Sequence, residues 1–584
     1  MNVIIFYDYE VFKHDWLVVF IDMVKKKVTT IVNDPEELAI FHEENRDEIW
    51  VGYNNNHYDQ YIHKAIICGF DPKRVNDFII EKGKPGWSFS SMFRNIKMIN
   101  YDVMNFGDGG LKTLEAYMGH NIKESSVPFD IDRKLTEEEI QHTIEYCTHD
   151  VEETIQVFLE RKNHFEAHMG LVKMASGDSG LDLTLLSKTQ AQLSAQILGA
   201  SKKIWDDEFD IDFPDTLKIE KYTEVLDWYK NPENLTYKND KGKANQLEIM
   251  VAGVPHVFGF GGLHGAIPKY QGEGYYLLMD VEAMYPSLMI IYNLLSRNVS
   301  DPGKFQIIYN RSSELKAAGK KAEREPYKLV SNTTYGASKD VRNPLYDPRQ
   351  ANRVCVYGQL FLLDLIEELE GICDLIQSNT DGILWKLRHY DDYELIDDIV
   401  YKWEQRTGMK LEFEEYKRVF QKDVNNYVMV PHGELYDEKG KPRWTTKGAY
   451  VKKLNNLDNN LPIVNKALIH YMLKDIPVET TILGEDNLKE FQLVCKIGGK
   501  YSHFLHGERT ISERCVRIFA SKRDTDGGLR KVHITTKRPA KFANSPLVGF
   551  LFNDDMTNVK CPDYLNKQWY IDMAKKRLKD FGVV

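Results

Sequence analysis

Short apolar runs broken by acidic and turn residues predict strands at residues 3–9 and 16–22. Residues 1–165 continue as alternating strands and helices and end in a helix from about 136 to 162. That helix opens on a capping box, Thr136-x-x-Glu139, and Ile140, Ile144, Cys147, Val151 and Phe158 form its apolar stripe. Residues 170–250 read as a helical connector that includes 185–198 and passes into a polar stretch over 230–245. A Gly-rich run, VFGFGGLHGA (257–266), precedes an apolar strand at 275–279 that ends on Asp280. Two helices are expected next, at 313–325 and 326–335. Pro326 would open the second, where its missing N–H would be unpaired anyway. Strands at 374–378 and 382–387 form a hairpin, and a further helix is expected over 462–474. There is no repeat of fixed period and no low-complexity tract.

Composition fits a folded chain, with 42% hydrophobic and 28% charged residues over 584 positions. Such a length accommodates about three to five domains. No apolar run is long enough to span a bilayer, and the first ten residues lack the basic start of a signal peptide. The seven cysteines are scattered without a CxxC pair, so reduced thiols and a cytoplasmic location are expected. Lys and Arg number 76 against 87 Asp and Glu, and the net charge of −11 taken alone argues against a nucleic-acid partner. Field depends on where charges sit, however, and a metal-dependent enzyme must cluster its carboxylates. One segment runs against the average: residues 530–541 hold five Lys or Arg and no acid.

The acids fall in a pattern. Asp8 and Glu10 stand two apart at a strand end and therefore share a face. Asp59 follows Asn55 by four residues, and Tyr146 and Asp150 share one helical face at the same spacing. Four carboxylates from three separated elements suit two divalent metals, and hard oxygen ligands favour Mg²⁺ or Mn²⁺. Asp280 closes an apolar strand, and Asp381 sits at the tip of an apolar hairpin in SNTDG (378–382). An ionised Asp in such a place needs a partner, either a metal or a buried arginine. Between them, Lys328, Asn332 and Tyr335 present an ammonium, an amide and a ring on one helix face, with Gly336 next to the ring.

In this order the motifs resemble those of family B (polymerase alpha-like) DNA polymerases of bacteriophage type, with a 3′→5′ proofreading exonuclease. Asp8-x-Glu10, Asn55-x-x-Tyr58-Asp59 and Tyr146-x-x-x-Asp150 resemble the three exonuclease motifs. Lys134 matches a lysine of phage members and also reads as a solvated side chain. DVEAMYPSL (280–288), KLVSNTTYG (328–336) and SNTDG resemble the polymerase motifs, and Thr446-Lys447-Gly448 resembles a later primer-gripping element.

The resemblance implies a mixed α/β (α+β) multidomain chain: an RNase H-like exonuclease domain followed by a right-hand palm, fingers and thumb. The exonuclease would take residues 1–165 and a helical connector 166–250. The palm would take 251–305 and 341–455, the fingers 306–340, and the thumb with a DNA-gripping region 456–584. It also implies that Asp280 and Asp381 hold two metals for synthesis, and that Asp8, Glu10, Asp59 and Asp150 hold two for excision. Tyr146 would orient the attacking water and Asn55 contact the substrate strand. Tyr285 would exclude a ribose 2′-OH, Lys328 would meet the triphosphate, and Asn332, Tyr335 and Gly336 would line the nascent pair. Lys316, Lys320, Lys321 and Arg324 are further candidates for phosphate contact, and Lys447 for the primer. Expected partners are primer–template DNA, dNTPs and replication accessory proteins, with no membrane.

The chain also departs from the family. Asn379 stands where an Asp is usual, and Gly259–Gly262 lacks the tyrosine of the template-linked motif. The intervals of 48 residues from Asp280 to Lys328 and 49 from Asn332 to Asp381 leave no room for the insertions of protein-primed phage members. A nucleic-acid primer is therefore expected. The alternatives are a 3′→5′ exonuclease whose polymerase site has decayed, and a non-catalytic primer–template binding factor.

Overall fold

A computed structural model describes residues 3–583. The protein is a mixed α/β chain of two compact units. The first takes residues up to Thr189 together with Leu454–Pro462 and Glu485–Tyr570. The second takes Gln190–Lys453, Ile463–Gly484 and the chain from Ile571. The segment beyond residue 456 is thus divided between them. Among the described residues no helix is long and apolar enough to cross a membrane.

The first unit is built on a five-stranded sheet ordered Lys27–Val32, Trp16–Asp22, Ile4–Val11, Ile49–Gly52 and Ile99–Asp102. The first three pair antiparallel and the last two join in parallel. Alternation along Ile4–Val11 sends Ile5, Tyr7, Tyr9 and Val11 into one aromatic core with Trp16, Phe20 and Trp50. Phe6, Asp8 and Glu10 consequently face the helix Glu137–Glu160, whose Phe158 ring packs on Phe6 with 5.2 Å between centroids. The expected capping box at Thr136 and Glu139 is formed. Residues 485–570 add a three-stranded sheet (Leu493–Lys496, Cys515–Ala520, Gly549–Leu551) and a four-stranded one. The latter contains Leu529–His533 and Pro539–Lys541, which carry the basic segment.

A nine-stranded sheet, antiparallel throughout, forms the frame of the second unit. At its centre Tyr270–Val281 lies between Leu411–Asp423 and the hairpin Cys373–Asn379 and Gly382–Leu387. The helix Pro348–Leu369 is buried along most of its length. The two helices expected around Pro326 are instead Gly303–Ala317 and Lys321–Lys339, with Pro326 inside the second. The break falls at Gly319, whose φ of +69° terminates the first helix as a left-handed glycine does. Pro326 is the sixth residue of its helix, past the first turn, and forfeits its N–H bond without ending the helix. The stretch 185–198 likewise divides, into a short 3₁₀ turn Leu183–Ser187 and the helix Gln190–Ile197.

Candidate active sites

In the first unit the strand end carrying Asp8 and Glu10, the helix start at Asp59 and the middle of Glu137–Glu160 converge. Glu10, Asp59 and Asp150 are buried, and the Tyr9 N–H donates to Asp59 Oδ1 at 3.2 Å. Burial and then the charge of Asp59 push the Asp8 carboxyl well above its usual range, with Glu10 and Asp150 adding to the shift. Glu10 is raised by burial and then by Asp150 and Asp59. Asp59 rises to about 7 and Asp150 to about 6, both chiefly by burial. Each carboxylate resists ionising beside the others, so the group calls for cationic partners.

One such partner is Lys112, which ion-pairs with Asp150, lies 3.0 Å from Glu115 and sits 4.8 Å over the Tyr146 ring. Cys147 packs against Asp8, with its sulfur 3.4 Å from the Asp8 carbonyl oxygen. Asn55 braces the floor by donating to Asn100 Oδ1 and the Tyr101 carbonyl, and its own Oδ1 accepts no bond. Lys134 is exposed. Sequence reasoning missed Lys112, Glu115 and His149. The i,i+3 spacing of Lys112 and Glu115 is visible, but their meeting with Asp150 is long-range.

In the second unit Asp280 faces Gly382 across one strand pair and Glu412 across the other. A Cβ on Gly382 would lie 1.8 Å from Asp280 Oδ1, so only glycine leaves the carboxylate its place. Asp381 occupies the turn before Gly382, and its carbonyl accepts from the Val281 N–H at 2.8 Å. Asp280 is pushed up to about 7 by burial, then by Asp381, Glu414 and Glu412. Asp381 is raised by desolvation, with the Lys447 ammonium pulling the other way.

Both acids line a cleft of about 560 Å³ with Lys316, Arg324, Lys328, Asn332, Asn379, Tyr427 and Lys447. Lys316 bridges Glu282 at 3.1 Å and Glu412 at 2.6 Å, and Lys328 lies 3.4 Å from Glu325. Lys320, by contrast, is exposed and pairs with Glu323 at 3.1 Å; Lys321 is exposed as well. The Tyr285 and Tyr335 rings lie against each other at 4.2 Å between centroids, and Gly336 is exposed beside them. Asn379 accepts from the Thr380 N–H at 3.0 Å, and its side chain bonds the Tyr427 phenol. Glu412 and Glu414 were not singled out from sequence, since only strand register brings them level with Asp280 and Leu278.

Among solved structures the chain is similar to the family B DNA polymerase of the hyperthermophilic archaeon Pyrobaculum calidifontis. Identity is 12% and the TM-score 0.41, over 100% of this chain and 78% of that one. No family model matches, and no curated protein does.

The donor chemistry of both sites fits hard divalent cations. All the acids named are oxygen ligands raised by desolvation, and neighbouring acids raise Asp8, Glu10 and Asp280 further. Asp8, Glu10, Asp59 and Asp150 would hold one set, and Asp280 and Asp381 the other.

Proposed function

We propose that the protein is a template-directed DNA polymerase of family B type with 3′→5′ proofreading, in which the second unit extends a primer and the first excises mismatched ends. The observation that supports this most is the cleft in which Asp280 and Asp381 meet Lys328, Asn332 and Lys447, while a second acidic site lies in another unit. Mg²⁺ or Mn²⁺, two per site, would supply charge neutralisation on the reacting phosphate.

The chain's own residues do the positioning, which provides most of the rate in phosphoryl transfer. Lys328, with Arg324 and Lys316 nearby, holds the triphosphate. Tyr285 shuts out a ribose 2′-OH, while Asn332, Tyr335 and Gly336 line the new base pair and Lys447 grips the primer backbone. In the other unit Tyr146 orients the attacking water and Asn55 contacts the strand. Within this reading the first unit contains the RNase H-like exonuclease, and palm and fingers belong to the second. A nucleic-acid primer, a bacteriophage origin and replication accessory partners belong to the same proposal.

The test is extension of an end-labelled DNA primer on a longer template with Mg²⁺, with and without the four dNTPs. Growth with dNTPs and shortening without them are expected. Asp280→Ala should abolish growth alone, and Asp8→Ala with Glu10→Ala should abolish shortening alone. Asn379 favours a second reading, an exonuclease with a decayed polymerase site, and shortening in both lanes would select it.

A further inference from the structure

The proofreading proposal leaves one buried charge beside its carboxylates without a role. Glu115, on the helix Leu111–Met118, is 0% exposed. Its Oε1 lies 3.0 Å from the Lys112 ammonium. Its Oε2 accepts no hydrogen bond, and the His149 Nε2 stands 3.6 Å from it, likewise buried and unbonded. The same Lys112 ammonium also pairs with Asp150. One cation is therefore shared between an acid of the proposed metal set and an acid outside it.

A divalent cation on Asp150 and an ammonium on the same carboxylate repel each other, strongly so where water is excluded. Lys112 is only 15% exposed, and leaving for solvent would strand Glu115 as an uncompensated buried charge. A short withdrawal onto Glu115 avoids both costs, because Lys112 already meets that carboxylate's Oε1 and need only give up Asp150.

We propose that Glu115 is a positioning residue, a berth onto which Lys112 withdraws when a divalent cation takes Asp150. His149 holds the berth in place from its far side. The ammonium then guards Asp150 in the metal-free protein and stays within reach of the site in the loaded one. This rests on reading the first unit's carboxylates as a metal site, but its test reads binding and not excision.

Mn²⁺ is titrated by calorimetry into metal-stripped, full-length protein carrying Asp280→Asn and Asp381→Asn, so that the heat reports the first unit. Lys112→Met should tighten Mn²⁺ binding. Glu115→Asp keeps the charge but draws it back by one methylene, and should weaken binding about 10-fold, the scale of coupling between contacting residues. In the Lys112→Met background the same change should alter affinity by less than about twofold. Glu115→Gln serves as a second variant with the same expected pattern. Equal losses in both backgrounds, or a weaker site in Lys112→Met, would overturn the proposal. If the coupling appears and the wild-type chain still fails to shorten DNA, the berth stands and the excision proposal falls.

Discussion

Gly382 and Asp280 are register partners, and a methyl group on the former would collide with the carboxylate of the latter. Asp280 lies between Gly382 on one neighbouring strand and Glu412 on the other, so a shift of its carboxylate away from the former is towards the latter's strand. Gly382→Ala should therefore displace the carboxylate while leaving the first unit untouched. We expect primer extension to fall by about 100-fold, the usual effect of a displacement near 1 Å at a reacting centre, with excision unchanged. Unchanged extension in a steady-state assay would show that Asp280 is not held where synthesis needs it. The residues that carry these sites were legible to different degrees. Asp8, Glu10, Asp150, Asp280 and Asp381 stand in short motifs whose spacing is local. Glu412 and Glu414 read as ordinary polar positions of a strand, and only its pairing with Tyr270–Val281 brings them beside Asp280.

At the scale of elements, the short helix Leu111–Met118 depends on distant chain. Arg517 is fully buried without a carboxylate ion pair among the described residues, and donates to the carbonyls of Ala116 (3.3 Å), His120 (2.7 Å), Phe552, Asn553 and Asp554. Lys489 donates to the Met118 carbonyl, Gln492 to that of Tyr117, and the Met556 N–H to that of Gly119. The last turn of the helix that presents Lys112 and Glu115 is thus capped by residues from 489–556. Arg517→Met leaves several of these carbonyls unpaired and should cost at least about 3 kcal/mol in the first unit. Excision should fall while extension persists, and limited proteolysis should show the first unit opening before the second. None of this is periodic, so the sequence pattern carries no sign of it. The helices Gly303–Ala317 and Lys321–Lys339 show the complementary case: proline drew the expected boundary, yet the left-handed Gly319 sets it, and the second helix runs on through Pro326.

Across the whole molecule, both units bring together acids whose charges oppose one another. Asp59 and Asp280 rise to about 7 and Asp150 to about 6, from 3.8. A raised carboxyl means the folded chain holds its proton more tightly than the unfolded one does. These groups therefore contribute stability that is fully present below about pH 4 and is lost as pH climbs through about 6 to 7. Under the proposed function divalent cations replace the proton. The rise in Tm on adding Mn²⁺ should accordingly be larger at about pH 8 than at about pH 5. Equal rises at both would mean that the acids are not the sites of binding.

The interleaving of the two units along the chain also couples their birth. A ribosome that has made the first 189 residues must add about 300 more before the strands that cap Leu111–Met118 begin to emerge, some 15 s or longer at roughly 5–20 residues per second. The carboxylate-bearing sheet waits through that interval with an unfinished neighbour, while most of the cleft-bearing unit is translated. Neither unit is complete until translation nears residue 570, because the first closes with Glu485–Tyr570 and the second also takes the chain from Ile571.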